Sequence, residues 1–317
     1  MRTGKKHFLL SLAMVGAFAF MGQGCQARVS KNEGNNGSVV VTATKKTTSK
    51  STTKKTTKKT TKKNTKKKNE TTYSKDIIQL TVGGKTENLV SVDGGFKIEK
   101  GNTYFVASDK KTIKNTFFNY KGNIYYADST GILLKGWQQV KNSYYYFDRS
   151  NSKMARSTTV NSIYLDKNGV ASSSTKSIER IKTFMKARKI MESVTLPSDS
   201  KSEKTLKCFK WVIKCRYKIY RNFMDTYKTD SNWDVLFAND EFDKNQGDCV
   251  SDAAAFAFLA VECGWTNVSI CCDSKHSWCD IGGRLYDPLF AEAKSFEKNY
   301  NARYTDYRSH ASYKKTL

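Results

Sequence analysis

No apolar run in this 317-residue sequence reaches the 18 or so residues of a membrane-spanning helix, so no integral membrane span is expected. Acid is absent from one long stretch: Thr44 to Lys68 holds twelve lysines and no Asp or Glu. Nearly half of the formal charge of +26 belongs to that tract, leaving the rest of the chain only moderately basic. The tract also lacks aromatic residues, the stacking surface that single-stranded nucleic acid needs. No nucleic-acid partner is expected. Histidine is scarce, with 3 in the chain, so few positions can supply an imidazole base. Proline is scarcer still, at 2, and the 38% of hydrophobic residues suffices for one large or two modest domains.

Arg2, Lys5 and Lys6 precede the apolar run Phe8 to Met21, and small residues follow at Gly22, Gly24 and Ala27. Residues 1–27 read as a secretory signal peptide. Met21-Gly-Gln-Gly-Cys25 resembles a bacterial lipobox, although Gly22 stands where that motif carries an aliphatic; cleavage near Ala27 and lipidation of Cys25 both stay open. A secreted, cell-wall or cell-surface location is expected. Residues 28–75 are rich in Thr, Ser, Lys and Asn with almost nothing apolar beyond Val39 to Val41, and read as a disordered linker. Such a tether either lies on anionic wall polymers or acts as a solvated spacer. Without Cys25 seven cysteines are left, an odd number that invites a free thiol. Cys208 and Cys215, seven apart on one expected helix, stand about 10 Å apart along its axis and cannot bridge. Long-range disulfides and buried reduced thiols both fit.

From Ile77 to Ala171 short aromatic and β-branched runs alternate with Gly, Asn and Asp turns. Asn123-Ile-Tyr-Tyr-Ala-Asp128, Tyr144-Tyr-Tyr-Phe-Asp148 and Asn161-Ser-Ile-Tyr-Leu-Asp166 share a frame, with Gly131, Asn151 and Gly169 three residues after each Asp. Each Asp can hydrogen-bond its own turn, and the residue three on can take φ > 0, so the unit is a β-hairpin repeat. A weaker copy runs from Asn102 to Asp109. Single hairpins are marginal in water and must stack. The unit Gly131-Ile-Leu-Leu-Lys-Gly136-Trp137 through Tyr145-Tyr-Phe-Asp148 resembles the choline- or glucan-binding cell-wall repeats of Gram-positive surface proteins. The resemblance implies cell-wall polysaccharide or teichoic acid as a partner and Trp137, Tyr145 and Tyr125 as ligand-binding rings, although only one Gly-Trp pair occurs.

Downstream the period changes. Ser177 to Ser193 and Ser202 to Asp225 carry helical spacing, and an acidic loop follows. Asp248 to Gly264 reads as an alanine-rich helix stopped by glycine. Asn267 to Cys272, Ser277 to Ile281 and Arg284 to Tyr286 read as strands, the last two joined by a Gly282-Gly283 hairpin. The polar Ser172 to Thr175 stretch reads as a hinge crossed by few core contacts, dividing a 77–171 module from a 176–317 domain.

Cys249 opens the alanine-rich helix, where unpaired N–H groups and the helix dipole favour a thiolate. His7 lies in the signal peptide and His310 in a polar tail, which singles out His276 beside the strands. With Gly282-Gly283 as a two-residue loop, paired positions sum to 565, making Asp287 the diagonal neighbour of His276. Asp280 lies four residues along the same strand, roughly 13 Å away. Cysteine, histidine and acid together follow acyl-transfer logic.

The order Gly247-Asp248-Cys249, His276-Ser-Trp278, Tyr286-Asp287-Pro288, with Leu206 to Tyr217 upstream, resembles the transglutaminase-like superfamily and its papain-like α+β fold. The resemblance implies Cys249 as nucleophile, His276 as general base and Asp287 as orienter, with a peptide or protein amide as substrate and neither metal nor cofactor. The Cys249 N–H is the first candidate oxyanion donor, with Gln246 and Trp233 behind it. The expected whole is an α+β catalytic domain after an all-β hairpin module and a linker. Its function is that of a wall-associated thiol amide hydrolase or acyl transferase; the alternative is a non-catalytic adhesin with an inactive domain.

Overall fold

The computed structural model describes residues 77–306 and 310–317; the expected signal peptide, the linker and Cys25 lie outside them. Five two-stranded antiparallel hairpins come first: β1 (Ile77–Val82) with β2 (Lys85–Val90), β3 (Gly94–Glu99) with β4 (Asn102–Ala107), β5 (Thr116–Tyr120) with β6 (Asn123–Ala127), β7 (Gly136–Val140) with β8 (Ser143–Phe147), and β9 (Thr158–Val160) with β10 (Ile163–Leu165). The repeat's aspartates organise the turns between them. Asp128 Oδ1 accepts from the N–H groups of Thr130 and Ile132, and Asp166 Oδ1 from those of Asn168 and Val170. Gly131 and Gly169 take φ of 97° and 76°, but in the middle unit the left-handed residue is Ser152 at 61°, one place beyond the expected Asn151. Each connector then ties back to the hairpin preceding the one it leaves: Leu133 N–H donates to Thr103 O, Met154 N–H to Ile124 O and Ala171 N–H to Tyr144 O. That is how marginal hairpins become a stack.

The second half packs helices against a four-stranded sheet. Ser174 caps α1 (Thr175–Val194), and a Ser200/Glu203 capping box starts α2 (Lys201–Val212). The helix expected to reach Asp225 therefore stops at Val212. The chain turns extended through the short β11 (Arg216–Tyr217), and Asn222 caps a new helix, α3 (Phe223–Thr229). Where an acidic loop was expected, α4 (Trp233–Lys244) forms. Its acids are paired rather than solvated: Asp234 accepts from Arg180 and Lys315, each at 2.8 Å, and Asp240 from Arg221 and Lys244. Then come β12 (Gln246–Gly247), parallel to β11, and the almost wholly buried α5 (Cys249–Glu262). The strands β13 (Val268–Cys272), β14 (Ser277–Ile281) and β15 (Arg284–Tyr286) precede α6 (Pro288–Ala293) and α7 (Phe296–Asn299). The stretch expected to be a polar tail ends in β16 (Tyr313–Thr316), which completes the sheet in the order β15-β14-β13-β16.

All seven described cysteines are free thiols, and Cys215 lies beyond α2 rather than on one helix with Cys208. Cys208 instead meets Cys263 across α2 and α5, sulfur to sulfur at 3.7 Å.

The hinge expectation fails on packing. Trp137, Tyr146, Ile163, Leu165 and Ala171 share one hydrophobic core with Phe184 of α1 and Phe258 of α5. The module and the helices are thus built on common apolar surface, and Ser174 is a helix cap rather than a joint. Trp137, 1% exposed, sits at the junction with its indole N–H donating to Asn161 Oδ1 at 3.1 Å. Trp137→Ala is accordingly expected to destabilise the fold by about 3 to 5 kcal/mol, as for other large-to-small core changes. Denaturant unfolding of the two proteins checks it.

Candidate active site

Cys249 is the first residue of α5, placed there by Asp248, whose Oδ1 accepts from the N–H groups of Val250 and Ser251, each at 3.0 Å. The Cys249 N–H is not among those partners, so it stays free of the cap as a donor toward a reacting oxygen. Gly247 allows this approach. A Cβ there would lie 2.3 Å from Ser251 Cβ and 2.4 Å from Glu241 Oε1, so no larger residue fits between β12 and α5.

The imidazole is set by the β13–β14 turn. Asp273 Oδ1 accepts from His276 N–H at 2.7 Å, and the Asp273 N–H donates to His276 O. The register of the next hairpin is the one the diglycine implies, with Ile281 opposite Arg284 and Cys279 opposite Tyr286. Asp287 follows directly and does two things with one carboxylate. Oδ1 caps α6 by accepting from Phe290 N–H at 3.0 Å, with Pro288 at the first helical position, and Oδ2 meets His276 Nε2 at 2.6 Å. Asp287 is fully buried and the His276 side chain is 10% exposed. Phe290 stacks on the imidazole at 4.0 Å and 11°, fixing the ring plane. Sequence reasoning missed Phe290; the Asp-Pro helix start two residues earlier was the available signal.

With Nε2 held by Asp287, Nδ1 is the nitrogen left to serve a thiol. No hydrogen bond joins the Cys249 thiol to His276 among the described residues, and catalytic bonds of this kind commonly close only around substrate. The thiol does not have the depressed pKa expected from its helix-start position. Burial first, then Asp248, Asp252, Cys272 and Asp287, push it up to about 12. Tyr217, 44% exposed on β11, borders the site: its phenol is pushed up by burial and then by Cys249, Asp248 and Asp252.

The weaker oxyanion candidates separate. Gln246 is beside the site, its Oε1 accepting from Tyr220 OH at 3.0 Å, whereas Trp233 is core, packed edge-on against Phe223 and Phe237. Asp280 accepts from Gly283 N–H, in the hairpin turn away from His276. Among the described residues, no group of three or more His, Cys, Asp or Glu is placed to hold a metal ion.

The three rings expected to meet a wall ligand are packed inside. Tyr145 is 0% and Tyr125 2% exposed; Tyr145 contacts Phe117, and Tyr125 stacks on Phe118. Tyr145 and Tyr125 serve the module's interior and Trp137 its junction with the helices, because the stacked hairpins and the helical half close over the faces that a free-standing repeat would present.

The family described as "Putative cell wall binding repeat", of choline-binding type, matches residues 115–133 and 135–150, which hold β5 to β8. These hairpins are similar in sequence to cell-wall-binding repeats. The match points toward the cell surface as the place where the chain acts. Among solved structures, the choline-binding domain of a Streptococcus pneumoniae protein is 28% identical, with 25% of this chain and 94% of that one covered and a TM-score of 0.23. Choline binding protein F of the same organism, crystallised with a peptidoglycan analogue, is 21% identical over 31% of this chain and 36% of its own, TM-score 0.24. The pneumococcal cell-wall endolysin of phage Cp-1, crystallised with choline, is 24% identical over 27% and 30%, TM-score 0.24. This chain thus spans about a third of the length of the last two. No curated protein matches it. No helix among the described residues is long and apolar enough to cross a membrane.

Proposed function

We propose that the protein is a cell-wall-associated thiol amide hydrolase of transglutaminase-like, papain-like architecture, with Cys249, His276 and Asp287 as its catalytic triad. The observation that carries the reading is the 2.6 Å contact of Asp287 Oδ2 with His276 Nε2, which leaves Nδ1 for a thiol at the start of α5. Chemistry proceeds in two steps. The Cys249 sulfur adds to an amide carbonyl as His276 Nδ1 takes the thiol proton, and the Cys249 N–H faces the developing oxyanion. Asp287 holds the imidazolium, which returns its proton to the departing amine. Water, activated by the same imidazole, then releases the acid from the thioester. Hydrolysis is favoured over cross-linking because, among the described residues, no feature of the site selects an amine over water.

The wall repeats make wall peptides the natural substrate class. The test is release of new amino groups from purified Gram-positive cell walls. Asp287→Asn retains an oxygen for capping α6 but weakens the hold on imidazolium, and is expected to lower turnover by about a thousandfold. Equal turnover in wild type and variant overturns the triad. No release from walls or from glutamine peptides by the wild type turns the reading to the non-catalytic adhesin.

A further inference from the structure

A cleft of about 470 Å³ opens where the hairpin module meets the helices, beside the end of α5 opposite Cys249. That volume falls within the range of small-molecule sites. Four cations line it: Lys135 from the β6–β7 connector, Arg149 from the turn after β8, Arg188 of α1 and Lys204 of α2. Three carboxylates line it as well, and each is already engaged. Glu262, its side chain fully buried, is clasped by Arg149 at 2.5 Å and by Arg188 at 3.1 Å. Glu192 pairs with Arg188 Nε at 3.0 Å, and Asp148 Oδ1 accepts from the Ser150 and Asn151 N–H groups.

Lys135 and Lys204 are left with no carboxylate partner among the described residues; Lys204 Nζ donates to the Pro197 carbonyl at 3.2 Å. Burial first, then the nearness of Arg188 and Lys204, lowers the pKa of the Lys135 ammonium, with Asp148 acting in the opposite sense. Leu133 and Met191 give the same cleft an apolar wall.

We propose that this cleft binds a phosphoryl group carried on a polyol or sugar. Lys135 and Lys204 contact the phosphoryl oxygens, and the carbon skeleton lies on Leu133 and Met191. Several oxygens on one anion suit ammonium groups converging from two walls, each acting as a point charge. The cavity is much larger than a lone ion needs, which favours a carried phosphate over a free one. Because two modules share the site, occupancy would bridge them.

Isothermal titration of the full chain at constant ionic strength tests it, with sn-glycerol 3-phosphate, inorganic phosphate and glycerol as probes. Expected is saturable one-site binding of glycerol phosphate, weaker binding of inorganic phosphate and none of glycerol. Lys135→Gln and Lys204→Gln should each weaken glycerol phosphate at least tenfold, while Lys182→Gln, exposed on α1 outside the cleft, leaves it unchanged. Should the Lys135 variant fail to fold by circular dichroism, the Lys204 variant decides. Equal affinity for inorganic phosphate, an adventitious ion only, overturns the proposal, as does absence of saturable heat or indifference to both substitutions. Heat of binding is read without amide turnover, so this result is independent of the triad.

Discussion

Cys249→Ala is expected to lower amide release from cell walls at least about ten-thousandfold, with an unchanged unfolding midpoint. The size of the loss follows from the chemistry: without sulfur there is no thioester, and what is left is the oxyanion donor and substrate positioning, which alone give slow turnover. The unchanged stability follows from position. Cys249 is half-buried at the first turn of α5, the cap of that helix rests on Asp248, and alanine is the best helix former. Cys272→Ala supplies the control, since this thiol lies near Cys249 but is wholly buried on β13. Its loss should cost some stability and spare activity. Turnover that survives in the Cys249 variant would remove the hydrolase reading and leave the adhesin.

The second expectation concerns pH. A thiol pushed up to about 12 is almost entirely protonated at neutrality, so alkylation by iodoacetamide, which needs thiolate, should be slow at pH 6 and rise tenfold per pH unit to pH 9 without a plateau. That is three decades across the range. A thiolate stabilised by the helix dipole would instead react at a nearly constant rate above its low pKa. In the proposed reaction the proton then leaves during attack, and His276 acts as a general base rather than as the partner of a pre-formed ion pair. Two variants locate the cause. Asp248→Asn keeps a side-chain oxygen for the cap and removes one charge, and Asp252→Asn removes the next. Each should speed alkylation at pH 7, since each removes one of the charges that oppose the thiolate. Mass-spectrometric labelling of Cys249 across pH measures this; a plateau below pH 8 in the wild type would reverse the assignment of charge at the site.

How far the site could be read from sequence depended on whether local geometry or distant packing decided each residue. Gly282-Gly283 dictates a two-residue turn, so the pairing of Ile281 with Arg284, and hence the nearness of Asp287 to His276, could be worked out residue by residue. Phe290 could not, because its stack on the imidazole depends on the direction in which α6 leaves the sheet. Helix α4 was hidden by its own acids. Asp234 and Asp240 read as solvated loop, and Arg180, Arg221 and Lys315, distant in sequence, join Lys244 in making their burial tolerable. The pKa of Cys249 is hidden from sequence for a related reason: a helix start announces a dipole, whereas burial, and after it the carboxylates gathered by the fold, push the thiol up. Trp137 shows the same limit in the repeats, where an aromatic spaced like a ligand platform is covered by helices that begin some forty residues later.

Helix α5 carries Cys249 at one end and Glu262 at the other, about 20 Å apart at 1.5 Å per residue. Glu262 is the residue that Arg149 of the repeat module grips, so the Cys249 sulfur and the hairpin module are fastened to opposite ends of one buried rod. The rod works as a gauge. A protein moored to a polymer through its repeats would present its thiol at a set span from the mooring point, and cleavage would follow the spacing of bonds along the polymer rather than wander within the reach of a flexible leash.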